Sequence, residues 1–359
     1  KEWVDHIYSK ETGDATYFIS QMGYEALPDY MIDHTVIEEA QNGGQSHSSF
    51  QREYCAQFTD GSDSYFSAKK MYECSIPDGQ SPTTLIKGKP SEKYIMAIDP
   101  SFTNSPTSDY FAMSVLELDD ETQQGALVHS YAVAGGDLKD HIKYMYYIMS
   151  HFNIEMICID NAGYQFIDSC NENSLFTQDK INMSFIDFDS TKEEADYVKE
   201  LRKLRREYSK ESGRIVFKQN FSTDFIRKAN EHLQACIDHK KIWFASKTSA
   251  NSAAFMSQTG EKVKLQLTGE QNVGDFIDTQ DSLVYQTKKQ CSLVEVKSTA
   301  KGTQTFDLPL HLKRSTSATR ARKDNYTTLM LANWALKSYY DMKSESSDIT
   351  STFSPVMIQ

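Results

Sequence analysis

The chain has 359 residues, enough for two domains or one large one, and its 39% apolar and 25% charged residues are the balance of an ordinary soluble globular protein. A formal charge of −12 argues against indiscriminate nucleic-acid binding, although local clusters of base decide that matter. No apolar run approaches the length that spans a bilayer, and the opening KEWVDHIYSK lacks the basic-then-apolar layout of a signal peptide, so no membrane is expected among the partners.

Beginning at Lys1 without a methionine, the chain reads as a piece of something longer. Cysteines at 55, 74, 158, 170, 236 and 291 form no C-x-x-C pair, which argues against a zinc site or a disulfide scaffold and fits a reducing cytosol. Cys158 and Cys236 fall within apolar patterns and read as core.

Residues 1–66 hold strand-like TYFISQ, then ALPDYMIDHTVIEEAQ and FQREYCAQF. A proline- and glycine-rich stretch, IPDGQSPTTLIKGKPSEK, places a linker at 67–90. From 91 to 342 strands and helices alternate. YIMAID, DYFAMSVLEL and ALVHSYAVA are three strands joined by short loops, an antiparallel meander. Asp137 then caps a helix in which Leu138, Ile142, Met145, Met149 and Phe152 recur at helical spacing. EMICID is a short apolar strand, GYQFIDSCNE opens a helix, and INMSFIDF returns as a strand. A basic helix follows over 191–210, with Tyr197, Leu201, Leu204 and Tyr208 on one side. RIVFK, the helix TDFIRKANEHLQACIDH and KIWFAS come next, and 246–276 reads as a hairpin or flap. DTQDSLVYQTKKQ looks helical, SLVEVKS and TQTFDLP look like strands, and KDNYTTLMLANWALKSYYDM is a long closing helix. The tail, 343–359, has the composition of a disordered end. The order β-β-β-α-β-α-β predicts an α/β fold: a mixed sheet with helices on its faces.

Within that order, Asp99 ends the first strand, Asp160 ends the fourth, and Asp324 opens the last helix. If the first and fourth strands lie side by side and parallel, their tips meet, and a helix crossing the sheet brings Asp324 to the same spot. Three converging carboxylates repel unless cations join them, and all-oxygen ligation favours Mg²⁺ or Mn²⁺. Two such ions about 4 Å apart suit phosphodiester hydrolysis. Each acid also has an ordinary reading: strand-end aspartates form turns, and an acid at a helix start answers the macrodipole. Asp109 either sits near a second ion or flanks a turn. Asp275, Asp278 and Asp281 read as capping and solvated-face acids.

With these residues assembled, YIMAIDPSFTNSPTSDYFAMSVLEL, MICIDNAGYQ and TFDLPLHLKRSTSATRARKDNYTTLMLANWAL resemble, in order, the acidic motifs of the nuclease part of the large terminase subunit of tailed double-stranded DNA bacteriophages. The resemblance implies an RNase H-like fold and a metal-dependent endonuclease that cuts concatemeric viral DNA during packaging in the cytoplasm of the infected bacterial host. Carried over residue by residue, it makes Asp99, Asp160 and Asp324 metal ligands and catalytic residues; the two Mg²⁺ or Mn²⁺ ions, and Asp109 as a further metal residue, rest on the reading of the acids themselves. Lys323 stands where some relatives place a basic residue near the scissile phosphate, and a phosphate-steering charge is its other reading. Many relatives have Glu at the second acidic position, where this chain has the shorter Asp160.

Lys313, Arg314, Arg320 and Arg322, with Arg202, Lys203, Arg205 and Arg206, would meet double-stranded DNA; a solvated helix face is the alternative for the second group. Residues 1–66 resemble the end of the terminase ATPase domain, yet no G-x-x-x-x-G-K-[ST] occurs, so the ATPase itself would lie upstream. The portal and the small terminase subunit are the further partners implied. The alternatives are another RNase H-like enzyme, such as a resolvase or transposase, and a non-catalytic motor-docking module.

Overall fold

The computed structural model describes residues 22–39, 50, 54–56, 64–103, 105, 108–188, 214–247, 273–298, 304–313 and 321–351. The expected strand TYFISQ, the basic helix at 191–210 and most of the flap at 246–276 lie outside them.

In chain order, short 3-10 turns at Tyr24–Ala26 and Asp29–Met31 precede α1 (His34–Glu39) and α2 (Ala68–Glu73). The meander is β1 (Tyr94–Asp99), β2 (Tyr110–Asp119) and β3 (Gln124–Ala134), followed by α3 (Leu138–His151) and β4 (Ile154–Asp160). Then come α4 (Tyr164–Glu172), α5 (Ser174–Gln178), β5 (Met183–Phe188), β6 (Arg214–Gln219), α6 (Thr223–Asp238) and β7 (Ile242–Phe244). The chain continues through α7 (Val273–Cys291), β8 (Glu295–Ser298), β9 (Gln304–Asp307), α8 (Leu310–Lys313) and α9 (Asp324–Ser351).

The main sheet runs β5-β6-β4-β1-β2-β3-β7. β1, β2 and β3 pair antiparallel, whereas β4 and β6 join parallel on the other side of β1. A meander extended by parallel strands beside its first member, with helices on both faces, is an RNase H-like arrangement. It follows from the residue pattern. Along β1, Tyr94, Met96 and Ile98 enter one apolar cluster, and Ile95 and Ala97 enter the other. A strand buried on both faces must be apolar throughout, and β1 is so until its last residue.

One face is covered by α9 and α6, and the other by α3 and α4. Asp137 caps α3 as expected, its side chain accepting from the Lys139 N–H. Cys158 and Cys236 are both core residues.

The stretch read as a linker is laid along the sheet's β7 edge. Ile76 N–H donates to Phe244 O at 2.9 Å, Leu85 N–H to Val128 O at 2.8 Å and Gly88 N–H to His151 O at 3.1 Å. The first bond occupies a backbone group that the edge strand β7 would otherwise leave open, the second reaches β3 and the third reaches the last residue of α3. α9 continues to Ser351, into the stretch read as a tail, and 352–359 lie outside the described residues. A helix nucleated by a buried stem propagates at little cost per residue, which composition alone does not register.

Candidate active site

Parallel pairing of β1 with β4 sets Ile98 opposite Ile159, so the next residues, Asp99 and Asp160, emerge together at the carboxyl ends of two neighbouring strands. In open α/β sheets that is where ligands collect. The loop after Asp160 lies close against the loop after Asp99. A Cβ built on Gly163 would stand 2.5 Å from Pro100 Cγ and 2.7 Å from Ile159 Cδ1, so only glycine permits this approach.

The third acid comes from α9, which packs on β1, β2 and β4. Ser114 of β2 and Thr328 of α9 share a buried hydroxyl–hydroxyl bond of 2.7 Å that fixes the helix on the strand. At its head, Asp324 is 7% exposed, and its Oδ2 accepts the Tyr110 N–H at 2.8 Å. That N–H opens β2, so the carboxylate ties the start of the helix to the start of the strand.

Asp99, Asp160, Asp324 and the exposed Asp109 line one cleft, together with Lys323, Phe102, Tyr110, Phe221 and Phe306. Burial pushes the Asp99 carboxyl well above the ordinary carboxylate range, and the negative charges of Asp324 and then Asp160 push it further, against the pull of Lys323. Asp324 is raised to about 6, again by burial first; the Tyr110 N–H works against that, and Asp109 adds to it. The cleft thus gathers anionic groups that destabilise one another in the folded chain.

Among the described residues, no group of three or more His, Cys, Asp or Glu is arranged to hold a metal ion outright. The donor set nonetheless suits one. It consists of hard carboxylate oxygens, crowded and short of positive charge, which is the chemistry that Mg²⁺ and Mn²⁺ satisfy.

The described basic residues make contacts within the chain. Lys323 pairs with Asp307 Oδ1 at 3.1 Å, and Lys313 pairs with the same carboxylate. These two cations hold Asp307 below the usual carboxylate range against its desolvation. The Arg322 guanidinium stacks 4.4 Å from the Tyr110 ring centroid, and its Nε donates to Ser108 O at 2.9 Å, gripping the loop that carries Asp109. Arg322 therefore holds one wall of the site, and Lys313 holds Asp307, the neighbour of the lining Phe306. Arg314, Arg320, Arg202, Lys203, Arg205 and Arg206 lie outside the described residues. Of the other acid group, Asp281 accepts from Thr84 Oγ1 and Asp278 is exposed, both away from the residues lining the cleft. Sequence reasoning missed Asp307, whose only local signal is its place at the end of a strand.

Fold and site define an RNase H-like α/β protein with an acidic cleft at the tips of its central parallel strands. No protein-family model matches the chain, and no curated protein matches it. Several solved large terminases are similar in structure. The large terminase nuclease from thermophilic phage G20c with bound magnesium is 13% identical with a TM-score of 0.42, over 76% of this chain and 98% of that one. The HK97 bacteriophage large terminase is 11% identical with a TM-score of 0.41, over 93% of this chain and 60% of that one. The g2p (large terminase) nuclease domain from bacteriophage SPP1 with bound Mn is 9% identical with a TM-score of 0.37, over 74% and 97%. These scores lie below one half, and the chemistry of the cleft follows from this chain's own residues.

Proposed function

We propose that the chain is the nuclease part of a terminase-type DNA-packaging protein: an endonuclease that hydrolyses phosphodiester bonds of concatemeric double-stranded viral DNA with Mg²⁺ or Mn²⁺. The observation that carries this reading is the meeting of Asp99, Asp160 and Asp324 in one cleft, from two adjacent strand tips and a helix head. Divalent ions bound there would activate water and neutralise charge on the scissile phosphate.

Each residue's part follows from its place. Asp99, between the other two elements, is the natural shared ligand, with Asp160 and Asp324 on either side and Asp109 at the open edge. Lys323, held by Asp307 beside the carboxylates, offers a cation to the phosphate. Duplex DNA is the substrate, an ATPase domain of the same polypeptide, the portal and the small subunit are the partners, and the host cytoplasm is the setting.

A supercoiled-plasmid assay tests the proposal. The parent chain should nick and linearise plasmid with Mg²⁺ or Mn²⁺ and stop with EDTA, and Asp160→Ala should be inactive. Cutting that survives EDTA, or survives the loss of Asp160, would refute it. A second reading, a non-catalytic docking module, is favoured by one observation: Lys323 supplies Asp99 with an internal counter-charge. DNA binding that ignores chelator, without nicking, would select it.

A further inference from the structure

The first turn of a helix leaves N–H groups without partners in the helix itself, and an acid at the helix start usually turns back to accept from them. The capping position of α9 falls to Lys323, whose O accepts the Thr327 N–H and whose side chain carries no acceptor, while the carboxylate of Asp324, the first helical residue, takes its own N–H and, through Oδ2, the Tyr110 N–H on β2. The N–H groups of Asn325 and Tyr326 go elsewhere, both to the Oε1 of Gln290, at 2.9 and 3.1 Å. Gln290 sits in the last turn of α7, thirty-five residues earlier in the chain, and is 4% exposed. Since both partners are N–H donors, the Gln290 atom facing them must be its carbonyl oxygen.

We infer that Gln290 is a positioning residue for Asp324: by capping α9 from a neighbouring helix, it leaves the Asp324 carboxylate directed into the acidic cleft. Without this acceptor, the two N–H groups would be buried and unpaired, and the head of α9 that carries Asp324 would lose the bonds that fix it. A shift of that head would carry the Asp324 carboxylate away from the other acids of the cleft. The inference rests on the metal-binding reading of the cleft and adds to it a residue that does not line it.

The test is calorimetric titration of the 359-residue chain with Mn²⁺, alongside thermal unfolding of each variant in EDTA. Gln290→Met keeps the volume and removes the acceptor; Mn²⁺ affinity should fall about 10–100-fold, the range for residues that orient metal ligands. Gln290→Glu keeps an acceptor oxygen and should bind close to the parent. In an Asp324→Asn background, Gln290→Met should cost no further affinity.

A parent that takes no Mn²⁺, or takes it unchanged when Asp324 is replaced by Asn, overturns the metal-binding reading and this inference with it. A parent that binds through Asp324 while folded Gln290→Met binds equally well overturns the positioning role alone. Should Gln290→Met fail to fold, Gln290→Glu decides: a folded Glu variant with about tenfold weaker binding also overturns it.

Discussion

At Asp99 the folded chain holds a carboxylate where burial and two neighbouring acids disfavour its charge. Such a residue is retained against stability, so its neutral isostere separates the two demands. Asp99→Asn should melt higher than the parent in EDTA, by about 1–2 kcal/mol of unfolding free energy, while losing all plasmid cutting. A variant that is less stable would show that the acid is satisfied within the protein.

His129 is the opposite case, a polar group buried and fully paired. Its Nδ1–H donates to Leu85 O and its Nε2 accepts from the Tyr144 hydroxyl, both at 2.7 Å, so the ring is neutral. Burial lowers its pKa from 6.5 to about 4. As pH falls from 6.5 towards 4, the unfolded chain binds a proton that the folded chain refuses, and stability drains away over that window. The loss is about 3 kcal/mol for a shift of this size and is complete below the folded value. Urea unfolding at pH 7 and pH 4.5 measures it, as the difference between the parent and His129→Gln. Equal pH slopes for the two would contradict the neutral buried ring.

At the level of elements, the site depends on how closely two loops approach. Gly163 faces the Pro100 ring and the Ile159 side chain, two neighbours with little room to yield. Gly163→Ala should therefore cost about 1–3 kcal/mol and move the Asp160 loop away from the Asp99 loop. Reduced cutting at a temperature where the variant is still folded is the readout; a neutral variant would mean that the loops separate freely. The elements themselves were largely legible. YIMAID and EMICID are strands because unbroken apolar runs of that length suit a doubly covered sheet, and Asp137 announces α3. Asp307 and Gln290 were not legible. Each acts on residues that only folding brings near, and neither has a local pattern to betray it. The end of α9 was not legible in composition either: a helix anchored by buried Tyr339 and Tyr340 continues through residues that resemble a tail.

For the whole molecule, a net charge of −12 and a cleft of crowded carboxylates point in one direction: divalent cations should stabilise the fold. An ion that binds only the folded chain adds about 2.7 kcal/mol at a hundred times its dissociation constant. Thermal unfolding should thus shift upward with Mg²⁺ or Mn²⁺ and return on adding EDTA, and the shift should vanish in Asp99→Asn. An identical shift in that variant would place the ions elsewhere.

By itself the sequence determined the periodicities, and with them the meander, the doubly covered strands and the acids at two strand ends and one helix head. These are properties of neighbours along the chain, set by which faces must be apolar. Only the tertiary structure decided that β4 lies parallel beside β1, that Lys323 and Lys313 turn to Asp307, and that Gln290 caps α9 from another helix. Those outcomes depend on distances that the folded chain sets between separate elements, which no local pattern along the sequence records.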